Sequence, residues 1–364
     1  MSLGRPLRIL YVAYPMLAVS VESCGGAEQM LWALEAEIAR RGHHTVVAAC
    51  EESRVTGELF ATGTAPREPD QFEQREAEHA ARILAHLARV QQSPQRLDLV
   101  HDESGWFWRH AAETGAPMLA TLHLPRGFYP AGAFDRLPPN LFFNCVSATQ
   151  LRTFAGLPRM LGAVRNGIRL ELFPRAQIGR ENYLLWMGRI CEEKGTHVAM
   201  EVARRAGLPL VIAGDVYPFS YHRAYFEREI RLHLTQRSVR HVGPPGFEEK
   251  LDLLRRARAL LLPSLVDETS SLVAMEAMAC GTPVVAFRRG AIPEIVDDGV
   301  TGFLVDSAED MARAVERVGE INPLACRARV EENFTASRMA AEYEGLYDRI
   351  VREPAGLQRS LSAA

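Results

Sequence analysis

Two glutamates, Glu268 and Glu276, lie eight residues apart in a segment whose pattern suits the binding of a diphosphate. A strand-like run ends near Pro263, a polar loop follows it, and a helix is predicted to begin near Ser270. Because the first amides of a helix have no partners within it and carry a partial positive charge, they form a binding site for an anion. At the rise of a helix the two glutamates are about 10 Å apart. On opposite sides of a bound diphosphate, one carboxylate can therefore accept hydrogen bonds from a sugar and the other from a ribose.

A second group combines an arginine with one of the only two lysines in the chain, Lys194 and Lys250. Arg189 and Lys194 lie five residues apart in a short loop that follows a strand-like run. Both side chains can reach one diphosphate, the guanidinium as a planar fork and the ammonium as a point charge. The alternative is that they are two exposed surface charges.

Further candidates follow strand-like runs in the N-terminal half. Gly25-Gly26 precedes a helix-like stretch, where glycine either lets the backbone approach a phosphate or forms a tight turn. The sequence contains no Gly-x-Gly-x-x-Gly, which disfavours a dinucleotide-binding site. His123 ends another run and is either a site residue or a structural histidine. The aromatic run Trp106–Trp108 is a candidate for stacking on an acceptor, with burial in a core as the alternative.

Apolar runs alternate with helix-like stretches along the chain, which predicts an α/β protein with parallel sheets. The predicted strands are Leu7–Ala13, Thr45–Cys50, Leu97–His101, Met118–His123, Leu141–Ser147, Tyr183–Met187, Leu210–Ala213, His241–Val242, Ala259–Pro263 and Thr282–Phe287. The predicted helices are Glu28–Arg41, Ala77–Val90, Gly195–Ala206, Phe226–Leu234, Phe247–Ala257, Ser270–Met278 and Ala336–Val351. The polar stretch Glu51–Gln74 is predicted to be a long loop.

The pattern of strands and helices starts again after residue 180, which indicates two domains. Residues 165–180 contain turn residues and no period, so they resemble a linker. A chain of 364 residues is long enough for two separate cores. We therefore expect an N-terminal domain over residues 1–170, joined by a tail helix within residues 336–364, and a C-terminal domain over residues 171–335. Domains of this kind bind ligands at the carboxyl ends of their strands, here in a cleft between the two.

Composition narrows the function classes. A net charge of −3 disfavours a nucleic-acid partner, and without a run of 18 apolar residues no transmembrane helix is expected. The six cysteines are widely spaced without a C-x-x-C pair, which fits reduced thiols in the cytoplasm better than disulfides or a zinc site. The apolar run Ile9–Val21 resembles a signal peptide, but Pro15 interrupts it, and we interpret it as a buried first strand. The stretch Ala81–Val90 carries basic residues, and an ordinary surface helix is favoured over a weak contact with an anionic membrane surface.

A series of short motifs runs in order from about residue 7 to residue 350. It comprises Gly25-Gly26-Ala27-Glu28, Thr121-Leu122-His123, Val146-Ser147-Ala148-Thr149-Gln150, Val164-Arg165-Asn166-Gly167-Ile168, Met187-Gly188-Arg189 through Lys194-Gly195, Ala213-Gly214-Asp215, His241-Val242-Gly243, the glutamate pair, Ala291-Ile292-Pro293-Glu294 and Gly299-Val300-Thr301-Gly302-Phe303. This series resembles the family 4 retaining glycosyltransferases with the GT-B fold, the glycosyl transferases group 1. The sequence departs from that family at Thr269-Ser270-Ser271, where relatives carry a glycine-bearing stretch. The departure affects the expected fit of the donor sugar rather than the diphosphate site.

The resemblance implies a fold, a function and a set of roles. It implies two Rossmann-like, doubly wound domains that face each other across a cleft. It also implies transfer of a sugar from a nucleotide-diphosphate sugar, expected to be a UDP-sugar, to a sugar, lipid-linked or small-molecule acceptor with retention of configuration. The implied catalytic residues are Glu268, which orients the donor sugar, His123 on the acceptor side, beside the reacting carbon, and Arg189 and Lys194 on the leaving diphosphate. The implied donor-binding residues are Arg189, Lys194, Gly26, Gly243, Ser270, Ser271, Leu272, Val273 and Glu276.

The sequence contains no Asp-x-Asp pair, which bears on metal use. Metal-dependent sugar-nucleotide enzymes usually hold their ion with that pair, so we expect Arg189, Lys194 and helix amides to neutralise the leaving diphosphate without a divalent cation. The N-terminal motifs offer no obvious carboxylate as a nucleophile, which implies front-face attack assisted by the leaving phosphate. Three alternatives stay open. They are a GT-B sugar-nucleotide epimerase, a pyridoxal-phosphate phosphorylase, disfavoured because only two lysines can form its Schiff base, and a non-catalytic nucleotide-sugar-binding protein.

Overall fold

The computed structural model describes residues 5–23, 25–66, 68–174, 179–235 and 237–352. The chain divides into two compact units, which we call unit 1 (Met1–Gly167 with Ala336–Ala364) and unit 2 (Ile168–Thr335). The change from unit 1 to unit 2 follows Gly167, where the sequence placed a boundary after residue 170. Part of the predicted linker, residues 175–178, lies outside the described residues. Within the described ranges no helix is long and apolar enough to cross a membrane.

Unit 1 is built on a parallel sheet. Its strands are β1 (Arg8–Val12), β2 (His44–Ala49), β3 (Glu58–Ala61), β4 (Leu99–Asp102), β5 (Met118–Leu122), β6 (Leu141–Cys145) and β7 (Met160–Ala163). In the described part of the unit they lie in the order β3-β2-β1-β4-β5-β6-β7. The register pairs Ile9 of β1 with Thr45 on one side and with Leu99 on the other. Strand β5 buries every side chain, which explains its continuous apolar run, since helices cover both faces of a parallel sheet.

Unit 2 repeats this architecture with its own sheet. Its strands are β8 (Leu184–Met187), β9 (Leu210–Ala213), β10 (Val239–His241), β11 (Ala259–Leu262), β12 (Val284–Phe287) and β13 (Gly302–Val305). Over the described residues the order is β10-β9-β8-β11-β12-β13, and all neighbours are parallel. Leu184 of β8 pairs with Leu210 on one side and with Ala259 on the other. Both sheets agree with the predicted fold class of two Rossmann-like domains.

Helices connect the strands and cover the sheets. They are α1 (Gly26–Arg40), α2 (Phe72–Val90), α3 (Ala148–Thr153), α4 (Thr196–Ala206), α5 (Ser220–Tyr225), α6 (Phe247–Arg256), α7 (Leu272–Ala279), α8 (Ile292–Ile295), α9 (Ala308–Arg317), α10 (Pro323–Asn333) and α11 (Ala336–Arg352). The tail helix α11 belongs to unit 1 and packs against α1. It buries Tyr343 and Tyr347 completely, so the end of the described chain is anchored in the core of unit 1.

Each sheet reverses its strand order at one point. In unit 1 the chain winds outward from β1 through β2 to β3, then returns to the other side of β1 with β4. In unit 2 the same reversal separates β8 from β11. Loops from the carboxyl ends of the two strands at such a reversal diverge and leave a crevice, which is where open α/β sheets bind ligands. The residues that follow β1, β4, β8 and β11 therefore line the candidate sites.

Several predicted elements differ from the structure. The stretch Glu51–Gln74 is not one long loop, because it contains β3 and the start of α2, and their short lengths and polar residues concealed them. Predicted helix Phe226–Leu234 is instead a π-helical turn (Phe226–Ile230) followed by a 3-10 turn (Arg231–Thr235). Helix α7 begins at Leu272, two residues later than predicted, because Ser271 is extended and caps it.

The aromatic run and the basic stretch of the N-terminal half both have ordinary packing roles. Phe107 and Trp108 lie in the core of unit 1, so they form no exposed platform for an acceptor. On α2, His86 packs against the ring of Phe60, at 4.3 Å between ring centroids. Arg82 is exposed on the same helix, as expected of a surface helix.

Candidate functional site

The loop after β8 carries the two cations singled out in the sequence. It ends at Gly195, whose φ of +65° is in the left-handed region and whose hypothetical Cβ would lie 2.1 Å from the carbonyl oxygen of Pro263. Only glycine permits this close approach. The loop is further held by the Leu265 amide, which donates to the Glu193 carbonyl at 2.8 Å. Lys194 is thereby fixed beside the segment that follows β11.

Lys194 and Glu268 form an ion pair across the reversal point of the unit 2 sheet. The Lys194 Nζ lies 2.6 Å from Oε1 and 2.9 Å from Oε2 of Glu268. Ser264 donates its hydroxyl to the same Oε1 at 2.5 Å. One third of the lysine side chain is exposed (33%), compared with 12% for the glutamate. The ammonium is therefore neutralised but accessible, which suits a group that binds a phosphate.

Arg189 contacts a different neighbour from Lys194. Its guanidinium carbon lies 5.5 Å from the centre of the Tyr217 ring, over the ring face. Among the described residues its buried Nε has no hydrogen-bond partner. The structure thus brings Lys194 to Glu268 and leaves Arg189 half-buried against an aromatic ring, in the same loop.

The start of α7 provides the predicted helix amides. Ser271 is the N-cap, and its hydroxyl accepts from the Ala274 amide at 3.4 Å. Leu272 and Val273 are the first helical residues, at the positions whose amides have no intrahelical partner. Ser270 precedes the helix and is partly exposed. The sequence correctly predicted a helix start here but placed it at Ser270.

Glu276 is paired with the other lysine of the chain. Lys250, on α6, donates from Nζ to Oε1 of Glu276 at 2.7 Å, and the side chains are only 11% and 6% exposed. The same ammonium lies 5.2 Å from the Phe247 ring and 5.9 Å from the Phe173 ring. Lysine is scarce in the sequence, but no role was predicted for Lys250, because no sequence spacing links α6 to α7.

Glycine also marks the end of β10, where Gly243 was predicted to contact the donor. Gly243 has a φ of +72°, and its carbonyl accepts from the Gly214 amide at 2.7 Å. His241 Nε2 lies 2.9 Å from the Gly214 carbonyl oxygen. These contacts hold the ends of β9 and β10 together on one edge of the unit 2 sheet.

In unit 1, the residues after β1 form a compact turn into α1. Gly25 is the N-cap of α1 and Gly26 its first residue. A Cβ on Gly25 would lie 1.9 Å from Oε2 of Glu28, so glycine is needed because the Glu28 side chain folds back over the turn. Glu28 is buried, and burial raises its pKa to about 7, a rise that nearby His123 opposes.

His123 follows β5 and is held by a carboxylate that sequence reasoning missed. Its Nε2 lies 2.6 Å from Oε2 of Glu103, the residue that follows β4. The other oxygen of Glu103 lies 2.9 Å from His101 Nε2. Burial alone would raise the pKa of Glu103, but His101 and His123 outweigh it and hold the pKa at about 2. A buried carboxylate between two imidazoles fixes the orientation of His123.

The histidine–carboxylate cluster continues to the tail helix. His101 Nδ1 lies 2.8 Å from the hydroxyl of Tyr347, which lies 3.1 Å from the hydroxyl of Tyr11. His101 Nε2 also lies 2.8 Å from the Thr121 hydroxyl. The N-terminal motifs were expected to offer no obvious carboxylate as a nucleophile, and the two carboxylates near His123, Glu28 and Glu103, are both buried. Glu28 was visible in the first motif, whereas nothing in the sequence marked Glu103.

Known proteins resemble this chain in sequence and in fold. Residues 169–334 match the sequence model of the family Glycosyl transferases group 1. The chain is 30% identical over 277 residues to a D-inositol 3-phosphate glycosyltransferase of Saccharomonospora viridis, a match that covers 62% of this chain and 63% of that protein. It spans between about one third and two thirds of the length of the curated relatives it matches.

Solved structures resemble most of the chain in fold. Sucrose-phosphate synthase from Thermosynechococcus elongatus matches with a TM-score of 0.75 at 18% identity, over 95% of this chain and 99% of that one. Anabaena HepE, solved in complex with UDP and glucose, matches with a TM-score of 0.72 at 16% identity, over 93% and 99%. At these identities the likeness establishes the fold, and it confirms the predicted GT-B class.

Proposed function

We propose that this chain, whose residues 169–334 match the sequence model of the glycosyl transferases group 1, is a retaining glycosyltransferase that uses a nucleotide-diphosphate sugar. The observation that carries the proposal is the Lys194–Glu268 pair at the reversal point of the unit 2 sheet, the place where such sheets bind ligands. The pair offers a cation for phosphate oxygens next to a carboxylate for a sugar hydroxyl.

In this proposal the leaving diphosphate binds Lys194, Arg189 and the amides of Leu272 and Val273. These groups stabilise the negative charge that develops as the bond between the sugar carbon and the phosphate oxygen breaks. No divalent cation is required, because two side-chain cations and a helix start already face the phosphates. The backbone at Gly26 and Gly243 and the hydroxyls of Ser270 and Ser271 complete the donor contacts.

The two glutamates serve opposite ends of the donor. Glu268 accepts a hydrogen bond from a sugar hydroxyl, and its contact with Lys194 keeps the carboxylate beside the phosphates. Glu276 accepts a hydrogen bond from the ribose, and its ion pair with Lys250 holds that carboxylate in place within a largely buried environment. Each carboxylate thus has a cation of its own, so neither repels the diphosphate as strongly as a lone carboxylate would.

His123 belongs to the acceptor side. The acceptor hydroxyl attacks the sugar carbon on the face that the phosphate leaves, and its proton passes to the departing phosphate oxygen. Glu103 positions the imidazole of His123, which hydrogen-bonds the reacting sugar. Glu28 and Glu103 are buried, so neither takes the role of nucleophile in this proposal.

For the substrates, we propose a UDP-sugar donor and a sugar, lipid-linked or small-molecule acceptor, with the reaction in the cytoplasm. The HepE structure holds UDP and glucose, which supports uridine as the first base to test. The D-inositol 3-phosphate glycosyltransferase is named for a cyclitol phosphate acceptor, which supports including polyol phosphates among the acceptors tested.

A thermal-shift screen against nucleoside diphosphates and nucleotide-sugars tests the proposal. A ligand at 100 times its Kd adds about 2.7 kcal/mol of stability, which gives a clear rise of the unfolding midpoint. Donors that bind are then incubated with candidate acceptors, and the anomeric configuration of the product is read by NMR. A product with inverted configuration, or the absence of any shift with every nucleotide, would contradict the proposal. An epimerised nucleotide-sugar formed without acceptor would instead identify the epimerase.

A further inference from the structure

Three metal-ligating side chains converge in unit 2 on residues that the proposed transfer does not use. Cys191 and Glu193 belong to the loop after β8, and His222 lies on α5. The Cys191 sulfur, one carboxylate oxygen of Glu193 and one ring nitrogen of His222 all lie within 4.8 Å of one another. Sequence spacing gave no indication of this group, because about thirty residues separate His222 from the other two.

The polar atoms of this cluster lack the partners that burial demands. Among the described residues, both ring nitrogens of His222 and Oε2 of Glu193 are buried without a hydrogen-bond partner. His222 is completely buried, and the rings of Tyr221 and Phe219 pack against it at 4.2 and 5.3 Å between centroids. The Cys191 sulfur lies within hydrogen-bonding reach of the Arg189 and Glu193 side chains, and 3.5 Å from the Arg189 carbonyl oxygen. Buried polar atoms almost always have partners, so several unpartnered atoms that face one another indicate a missing ligand.

We propose that Cys191, Glu193 and His222 bind one zinc ion. A thiolate, an imidazole and a carboxylate are the ligands that zinc takes in proteins, whereas magnesium and calcium take oxygen ligands. Zinc lies about 2.0–2.3 Å from such atoms, which places tetrahedral ligands roughly 3.5 Å apart. The three ligand atoms, now within 4.8 Å of one another, would draw closer as the ion binds. Water takes the fourth position.

The charges of the site balance. On binding, the Cys191 thiol releases its proton to solvent, and the thiolate and the Glu193 carboxylate together offset the two charges of the ion. The nearby guanidinium of Arg189 therefore faces no net charge from the metal. Because Cys191 and Glu193 lie between Arg189 and Lys194 in the chain, the ion would tie the loop that carries both cations to α5. Only this effect on the cations depends on the proposed function; metal binding does not.

Metal titration of the unmodified chain tests the site. We expect the full chain, stripped with chelator and dialysed, to bind one zinc per molecule. Cobalt in the same site should show the charge-transfer absorption of a cobalt–thiolate bond. Cys191→Ser and His222→Gln should each weaken binding at least about tenfold. The control Cys326→Ser removes another fully buried thiol of unit 2, whose contact is the Thr301 carbonyl oxygen, and should leave binding unchanged.

The proposal is overturned if the unmodified chain shows no cobalt–thiolate band, a measurement that needs no variant to fold. It is also overturned if circular dichroism shows folded Cys191→Ser or His222→Gln that binds zinc as tightly as the unmodified chain, since other residues would then hold the ion. Sugar transfer without zinc binding would refute the metal site alone. Zinc binding in a chain that binds no nucleotide would refute the proposed function alone.

Discussion

The two units place different chemistry at the same point of the same strand order. In unit 2, the residues after β8 and β11 meet as Lys194 and Glu268, a pair whose lysine is one third exposed. In unit 1, Glu28 lies on α1, the helix after β1, and Glu103 directly follows β4. Both are buried, and Glu103 is enclosed between two histidines. The topology is shared, but one crevice presents an accessible cation and the other an enclosed network of carboxylates.

The difference in burial indicates that the charged groups of the two units can act in different ways. An accessible ammonium can exchange its carboxylate partner for a phosphate at little cost, since both states are charged and partly hydrated. A buried carboxylate cannot leave its histidines without a large penalty, so it acts by holding His123 in one orientation. Strand order therefore determines where a site forms, whereas the residues after the strands determine whether it binds an anion or orients a side chain.

The largest effect we expect concerns Glu28 and the pH dependence of stability. The folded-state pKa of Glu28 is about 7, above the ordinary 4.5, so the folded protein holds that proton more tightly than the unfolded chain does. Stability should therefore fall as pH rises from 4.5 to 7, by about 3 kcal/mol for this group. Glu28→Gln has no carboxylate to titrate. As pH rises over this range, the unfolding midpoint of Glu28→Gln should therefore rise relative to that of the unmodified chain.

Glu103 should show the opposite sign. Its pKa is held at about 2, so its ionised form contributes stability that is present above pH 4.5 and is lost as pH falls towards 2. The destabilisation caused by Glu103→Gln should accordingly shrink at low pH. Glu73→Gln provides the matched control, since it makes the same change at an exposed position on α2. If the profiles of Glu28→Gln and the unmodified chain run parallel, Glu28 is not buried as described.

The next effect concerns the accessible crevice. Lys194→Ala should weaken nucleoside-diphosphate binding by about 1.5–3 kcal/mol, the value of a charge-assisted contact, which is about 10- to 150-fold in Kd. Turnover should fall with it. Calorimetry with UDP measures the binding, and Arg205→Ala is the control because Arg205 is an exposed cation paired with Glu201 on α4. Glu103→Gln should leave UDP affinity unchanged while it slows transfer. Unchanged affinity in Lys194→Ala would remove Lys194 from the site.

Much of this arrangement is visible in the sequence, and the rest is hidden for physical reasons. The buried strands are apolar on both faces, so β1, β5, β8 and β11 were located to within a few residues. The long-range pairs were not predictable, because contacts such as Glu103 with His123 depend on which strands become neighbours in the sheet. Lys250 illustrates the limit. The scarcity of lysine is visible in the sequence, but only the packing of α6 against α7 shows that Lys250 neutralises Glu276.

A smaller and more specific effect separates the two glutamates of unit 2. Glu276→Gln should weaken the binding of UDP and the binding of the complete donor by similar factors, since both ligands contain the ribose. Glu268→Gln should leave UDP binding nearly intact and reduce kcat more than KM, because the sugar contact matters in the transition state. Each loss should be about 1–3 kcal/mol, as glutamine retains the shape and one acceptor oxygen.

The Lys250–Glu276 ion pair provides a control for the effect of Glu276→Gln. Glu276→Gln leaves the Lys250 ammonium largely buried with a weaker partner, so part of its effect can come from instability rather than from a lost ribose contact. Lys250→Met with Glu276→Leu removes both charges, which should recover stability without recovering UDP affinity. Recovery of both would show that Glu276 acts through the fold alone. Equal loss of UDP affinity in Glu268→Gln and Glu276→Gln would contradict the proposed division.

The smallest effect we expect is that of magnesium and manganese, which should not change UDP affinity. If Lys194, Arg189 and the start of α7 neutralise the diphosphate, neither magnesium nor manganese is needed, and the UDP affinity of EDTA-treated protein should be the same with and without added magnesium or manganese. The comparison with unit 1 sharpens this expectation, because the buried carboxylates Glu28 and Glu103 are enclosed by protein and unavailable to a metal-bound diphosphate. Transfer rates measured in EDTA, then after separate additions of magnesium, manganese and zinc, distinguish the outcomes. Activity that EDTA abolishes and magnesium or manganese restores would refute the metal-free mechanism. Activity that only zinc restores, and that Cys191→Ser lacks throughout, would instead locate the requirement at Cys191, Glu193 and His222, where the ion holds the loop of the two cations without touching the phosphates.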